Sequence, residues 1–451
     1  MTRSMNFRNI TRIITCVLTA LLTQESVAKN TIDTQRPDAP LFSAYGEYNV
    51  GVKTLDFIFD NQVDVLALLK SNPEIAEFPR AQRALKAEIW YPTSSPTATD
   101  QDEAARTLNV YLRDGKTQVS LLGKAVRNAA VANTNTPFPL VLVSHGYPGN
   151  RFLLAHLAEN LASKGYVVVS VDHTDSTYRT KDAFASTLYN RPKDQILVLD
   201  ELQKLSEDKA SFLYKKVDAG NTAIIGYSMG GYGAVINAGA RLTDAAIKSP
   251  ISPPFKLLDV YSQDADTPVD SRIKTVIAFA PWGMNHGVFN AETMRKVEKP
   301  ILFVAGSEDD VSGYSNGVRL MWQTAVNVDR VLLTYDNANH NAGALMPAPE
   351  ESFFYDEDLG FNVSEHYTDA VWDNVRMNNI AQHFATVWLA QYLKGQDMSA
   401  YLSLIPSSND GVWALDKEGE ALEEHTYWNG FKERTAKGLH FEKLNATDNP
   451  H

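Results

Sequence analysis

The feature that most restricts the fold is a succession of short apolar runs, separated by segments of helical period, between residues 136 and 340. The runs are Pro139 to Ser144 (PLVLVS), Tyr166 to Val171 (YVVVSV), Thr222 to Gly226 (TAIIG), Thr275 to Ala280 (TVIAFA), Ile301 to Ala305 (ILFVA) and Val331 to Tyr335 (VLLTY). Runs this short and this apolar mark strands buried on both faces. Helical spacing fills the intervals at Phe152 to Lys164, Lys193 to about Lys216, and Gly231 to Ala240. Strands alternating with helices predict an α/β domain whose mostly parallel sheet is covered by helices on both faces.

Around this core the chain divides further. Val50 to Phe59 and Ala84 to Tyr91 predict two leading strands, with a short helix at Asn61 to Ser71 and a polar loop at 92–107. These belong to an N-terminal portion, 29–135, that leads into the core over 136–395. Residues 242–273 read as an excursion over the sheet edge. Residues 341–375 form an aromatic insertion, either a functional cover or a structural wrap. Arg376 to Lys394 predicts an amphipathic helix stopped by Gly395, and 396–451 is a C-terminal extension.

Residues 1–28 have the pattern of a secretory signal. Arg3, Arg8 and Arg12 precede an apolar stretch from Ile13 to Leu22, and Ser26-Val27-Ala28 suits cleavage. The stretch is short for a membrane span. The expectation is an exported protein, periplasmic or secreted, with no stable span after cleavage. The one cysteine, Cys16, falls in this leader, so a mature chain would have neither a disulfide nor a thiol nucleophile. The formal net charge of -12 disfavours nucleic acid as a partner, because phosphate binding needs a basic face.

Chemistry concentrates at Gly226-Tyr227-Ser228-Met229-Gly230. This is G-x-S-x-G between an apolar run and a small-residue helix, the setting in which the motif makes a nucleophile elbow. A serine hydroxyl is a weak nucleophile and needs a base, which in turn needs an orienting acid. The fifth apolar run leads into Gly306-Ser307-Glu308-Asp309-Asp310, and the sixth into Asp336-Asn337-Ala338-Asn339-His340. Asp309 is the expected acid, with Asp310 and Glu308 as rivals. His340 is the expected base, with His366 as runner-up. The oxyanion donors are expected to be the backbone N–H groups of Met229 and Tyr147, the latter in Ser144-His145-Gly146-Tyr147-Pro148. Trp282, at the end of the fourth run, is the expected pocket wall. Neither metal-ligand spacing nor a phosphate-binding glycine loop is evident, so no cofactor is expected.

With these motifs in this order, residues 136–395 resemble the α/β-hydrolase superfamily. Ser144-His145-Gly146, Leu161 to Val168 and Val171-Asp172-His173 resemble the group that contains platelet-activating factor acetylhydrolase and dienelactone-hydrolase-like proteins. The resemblance implies hydrolysis of carboxylic esters, with Ser228, Asp309 and His340 at the triad positions. The expected substrate is a small uncharged ester. Acyl transfer or peptide hydrolysis on the same triad, or a catalytically silent binding fold, are the other readings.

Overall fold

The computed structural model describes residues 30–71, 77–95, 103–181, 184–343 and 345–446; the leader expected over 1–28 lies outside them. Ten strands form one sheet: β1 (Asn49–Val63), β2 (Arg80–Thr93), β3 (Val126–Arg127), β4 (Phe138–Ser144), β5 (Val167–Asp172), β6 (Val217–Tyr227), β7 (Ile273–Phe279), β8 (Ile301–Gly306), β9 (Arg330–Tyr335) and β10 (Leu439–Leu444). Their order is β10-β9-β8-β7-β6-β4-β5-β2-β1-β3. The six strands β4 to β9 pair in parallel and coincide with the six apolar runs. β10 and β2 add antiparallel neighbours outside them. Because β4 lies between β5 and β6, the chain changes direction there. Loops leaving the carboxyl edge diverge at such a point and leave a crevice.

The parallel strands are apolar throughout because each sends alternate residues into two separate layers. Val141, Val143 and Ile225 join one layer with Leu157 of α1 (Ala155–Ser163) and Phe384 and Trp388 of α4 (Asn374–Lys394). Leu140, Leu142 and Ile224 join the other with Leu199 of α2 (Phe184–Glu207) and Val235 of α3 (Met229–Asn237). The C-cap of α4 is Gly395 at φ 61°, the left-handed stop expected from the sequence. Among the described residues no helix is long and apolar enough to cross a membrane.

Several elements differ from the sequence expectation. The helix expected at Asn61 to Ser71 shrinks to Val65–Leu68, because β1 keeps its ladder with β2 out to Val63. The α2 helix starts at Phe184 and runs through Pro192, where burial of Leu188, Tyr189 and Leu199 outweighs the proline's lost hydrogen bond. A hairpin of Thr107–Tyr111 and Gln118–Leu122 was not expected; Asn30–Thr31 completes it as a three-stranded sheet. Beyond Gly395, Trp428, Phe431 and Phe441 pack on Phe384, so the C-terminal extension is part of the core.

Candidate active site

The turn between β6 and α3 is tight enough to dictate its residues. Ser228 sits at φ 52°, ψ -113°, a conformation that L-residues rarely adopt and that functional sites often hold. A Cβ on Gly226 would lie 2.2 Å from the Gly230 carbonyl oxygen, and one on Gly230 would lie 2.0 Å from that of Ser144. Both motif glycines are therefore steric necessities. Backbone bonds fix the turn on β7 and its following loop: Ser228 N–H donates to Phe279 O at 2.8 Å, and Trp282 N–H to Ser228 O at 3.1 Å.

The loops after β8 and β9 bring two further groups to this point. His340 Nε2 is 2.9 Å from Ser228 Oγ, and His340 Nδ1 is 3.0 Å from both Asp309 oxygens. A carboxylate only accepts, so Nδ1 carries the proton and Nε2 faces the serine hydroxyl as acceptor. Asp309 is buried and rigidly held, its Oδ1 also accepting from Val311 N–H at 3.0 Å and Ser312 N–H at 2.8 Å. Glu308 and Asp310, the sequence rivals, are exposed. The other rival, His366, is half-buried, with its Nε2 bonded to Tyr178 OH at 2.8 Å. Burial, then Arg113 and His340, push its pKa down to about 3.

The loop after β4 passes against the nucleophile. A Cβ on Gly146 would lie 2.9 Å from the Tyr227 ring and 3.3 Å from Ser228 Cβ. Tyr147 and Met229 thus stand on the two segments that flank Ser228, where the sequence put the oxyanion donors. Trp282 is half-buried and belongs to an aromatic row. It stacks on His286 (centroids 4.9 Å, 25°) and meets Phe184 edge-on at 5.2 Å; Phe184 meets Tyr147 edge-on at 5.3 Å. Phe184 and His286 were not singled out in the sequence. No local motif marks them, since only folding brings them beside Trp282.

The aromatic insertion contributes to the site in an unexpected manner. Phe353 and Tyr355, expected as a possible cover, stand in solvent at 66% and 54% exposure, while Phe354 packs on the core. Val363 and Tyr367 are fully buried. The segment reaches the site through polar groups. Asn341 Oδ1 accepts from Tyr227 OH at 3.0 Å, its Nδ2 donates to Thr368 O at 2.8 Å, and Asp369 accepts from Asn339 N–H at 2.7 Å. The insertion therefore braces the His340 loop on both sides.

Comparison with known proteins finds likenesses to ester hydrolases. The family model described as PET hydrolase-like matches residues 129–264. The chain is 25% identical over 209 residues to "Cutinase est1" of Thermobifida alba, covering 46% of this chain and 55% of that protein. It is 28% identical over 209 residues to "Cutinase 1" of Thermobifida cellulosilytica, covering 46% and 62%. The alignments thus span little more than half the length of these relatives. A solved ferulic acid esterase from Streptomyces cinnamoneus superposes with a TM-score of 0.51 at 20% identity, covering 82% of this chain and 94% of that one. Sheet order, elbow and these likenesses agree, and the chain has the α/β-hydrolase fold.

Proposed function

We propose that this protein is a serine hydrolase of carboxylic esters that works through an acyl-enzyme on Ser228. The observation that carries the reading is the unbroken hydrogen-bonded line from Ser228 through His340 to Asp309, with the serine in a strained elbow. His340 takes the Ser228 proton as the hydroxyl attacks the ester carbonyl, then returns it to the leaving alcohol. Asp309 holds the imidazole in the required tautomer and stabilises the imidazolium. The developing oxyanion is received by the N–H groups of Tyr147 and Met229. Water activated by His340 then releases the acid. Trp282, backed by Phe184 and His286, forms an apolar wall for the substrate. That wall and the acidic chain favour a small uncharged ester. The cutinase relatives support ester chemistry, and the leader sequence supports export.

The test is direct. Wild type is expected to hydrolyse neutral p-nitrophenyl esters and to label with a fluorophosphonate at Ser228. Ser228→Ala is expected to fold and lose several powers of ten in kcat. Labelling at a different serine, or an active Ser228→Ala protein, contradicts the reading.

A further inference from the structure

Behind the loop that carries Tyr147 lies a second Ser-His-Asp array, wholly buried. Ser144 Oγ is 2.8 Å from His173 Nε2, and His173 Nδ1 is 2.8 Å from Asp194 Oδ2. None of the three is more than 1% exposed. Arg83 clamps Asp194 with two bonds of 2.5 and 2.7 Å. No substrate reaches a serine at this depth, so the array does not act as a nucleophile. What it touches is the loop.

His173 N–H donates to His145 Nε2 at 3.1 Å. A backbone N–H can only donate, so His145 Nε2 is the acceptor and the ring proton sits on Nδ1. That Nδ1–H donates to the Gly146 carbonyl at 2.7 Å. The Gly146 carbonyl and the Tyr147 N–H belong to one planar trans peptide, so they point in opposite directions. Holding the carbonyl on one side aims the N–H on the other. The preceding carbonyl, of His145, accepts from the buried Arg191 guanidinium, which fixes the adjoining plane.

We propose that His145 is a positioning residue of the oxyanion hole: its neutral, Nδ1-protonated ring orients the Tyr147 N–H, and the Ser144–His173–Asp194 array anchors that ring. The inference rests on the ester-hydrolase reading. It deepens that reading by placing a role on residues that touch no substrate. Burial, and then the nearby Arg191 charge, hold both His145 and His173 well below the ordinary histidine pKa, which keeps the tautomer in place.

Oxyanion donors act mainly in the transition state, so the expected signature is a fall in kcat with little change in KM. His145→Ala is expected to lower kcat about 10²-fold with KM within about twofold. Affinity for a trifluoromethyl ketone, which forms a tetrahedral oxyanion on Ser228, should fall by the same factor as kcat/KM. His145→Asn can still donate an amide N–H to the Gly146 carbonyl and should recover about tenfold of the loss. Active-site titration separates this from a structural role. Unchanged kcat per active site, with unchanged ketone affinity, overturns the proposal.

Should His145→Ala fail to fold, Ser144→Ala removes only one hydroxyl from the anchor. It is expected to lower kcat about threefold to tenfold at constant KM. Wild-type kcat in both Ser144→Ala and His145→Asn overturns the proposal. In wild type, imidazole ¹⁵N NMR should find His145 protonated at Nδ1 alone, and an Nε2-protonated ring also overturns it. A wild type that neither hydrolyses nor labels would sink the ester-hydrolase reading and this catalytic role together. The NMR result would still decide the tautomer.

Discussion

At the scale of single residues, Asp309 and Asp310 have the same chemistry, and only their surroundings separate them. Asp309 is buried, accepts two backbone N–H bonds and faces His340; Asp310 is exposed. Asp309→Asn is therefore expected to lower kcat by about 10²-fold or more, whereas Asp310→Asn leaves it within about twofold. Equal effects of the two in the same assay would place the acid elsewhere. His156 offers a test that does not involve catalysis. It is fully buried on α1, and neither ring nitrogen has a hydrogen-bond partner among the described residues. Burial pulls its pKa down to about 3. Between that value and the ordinary 6.5 the unfolded chain binds the proton and the native chain does not. Stability from this group is thus complete above about pH 6.5 and is lost, at about 1.4 kcal/mol per pH unit, as pH falls. His156→Leu removes that term. Its Tm advantage over wild type is expected to widen from about pH 7 to about pH 4, and parallel Tm curves would contradict the assignment.

At the scale of elements, the insertion 341–375 and the C-terminal strand both support the site from outside the parallel core. The insertion holds the His340 loop through Asn341 and Asp369, while its Phe353 and Tyr355 rings stand in solvent. Asn341→Leu is expected to cost about tenfold or more in kcat, because a small displacement of His340 spoils its line to Ser228. The double change of Phe353 and Tyr355 to Ser should leave kcat unaltered and shift stability by no more than about 0.5 kcal/mol. A raised KM in that double variant would restore the covering role to these rings. β10 pairs with β9 along its whole length, and Arg319 forks onto Glu442 of that strand, one bond being 2.8 Å. A chain ended after Gly395 would expose the edge of β9 and lose the packing of Trp428, Phe431 and Phe441. It is expected in the insoluble fraction.

At the scale of the whole molecule, the net charge of -12 sets a long-range bias against anionic substrates. Paired neutral and anionic p-nitrophenyl esters of similar size should differ in kcat/KM, and the gap should narrow as ionic strength rises from about 0.01 M to about 0.5 M. A gap insensitive to salt would assign the discrimination to the pocket wall around Trp282 instead. Acid sensitivity is also a property of the whole fold. His366 and His383, like His156, are pushed down to about 3 chiefly by burial. Each withholds a proton that the unfolded chain would bind below about pH 6.5, so their slopes add in the same direction.

Local chemistry alone determined much of this protein. Six apolar runs became the six parallel strands because strands buried on both faces have no polar positions to spare. The elbow at Ser228 was legible because its turn admits only glycine at two places. The order serine, acid, histidine follows the carboxyl ends of β6, β8 and β9 along the chain. Even the missed hairpin left a signal, in the alternation of Leu108 and Val110 against Val119 and Leu121, all buried. Tertiary structure decided the rest, since it depends on groups remote in the chain. Ser228 and His340 meet across 112 positions. Which carboxylate faces the histidine, which rings stand beside Trp282, and which way the insertion turns its aromatics depend on burial that no local pattern encodes. The tautomer of His145 is the sharpest case: it is set by a backbone N–H 28 positions away, and a ring's proton goes where its neighbours leave an acceptor.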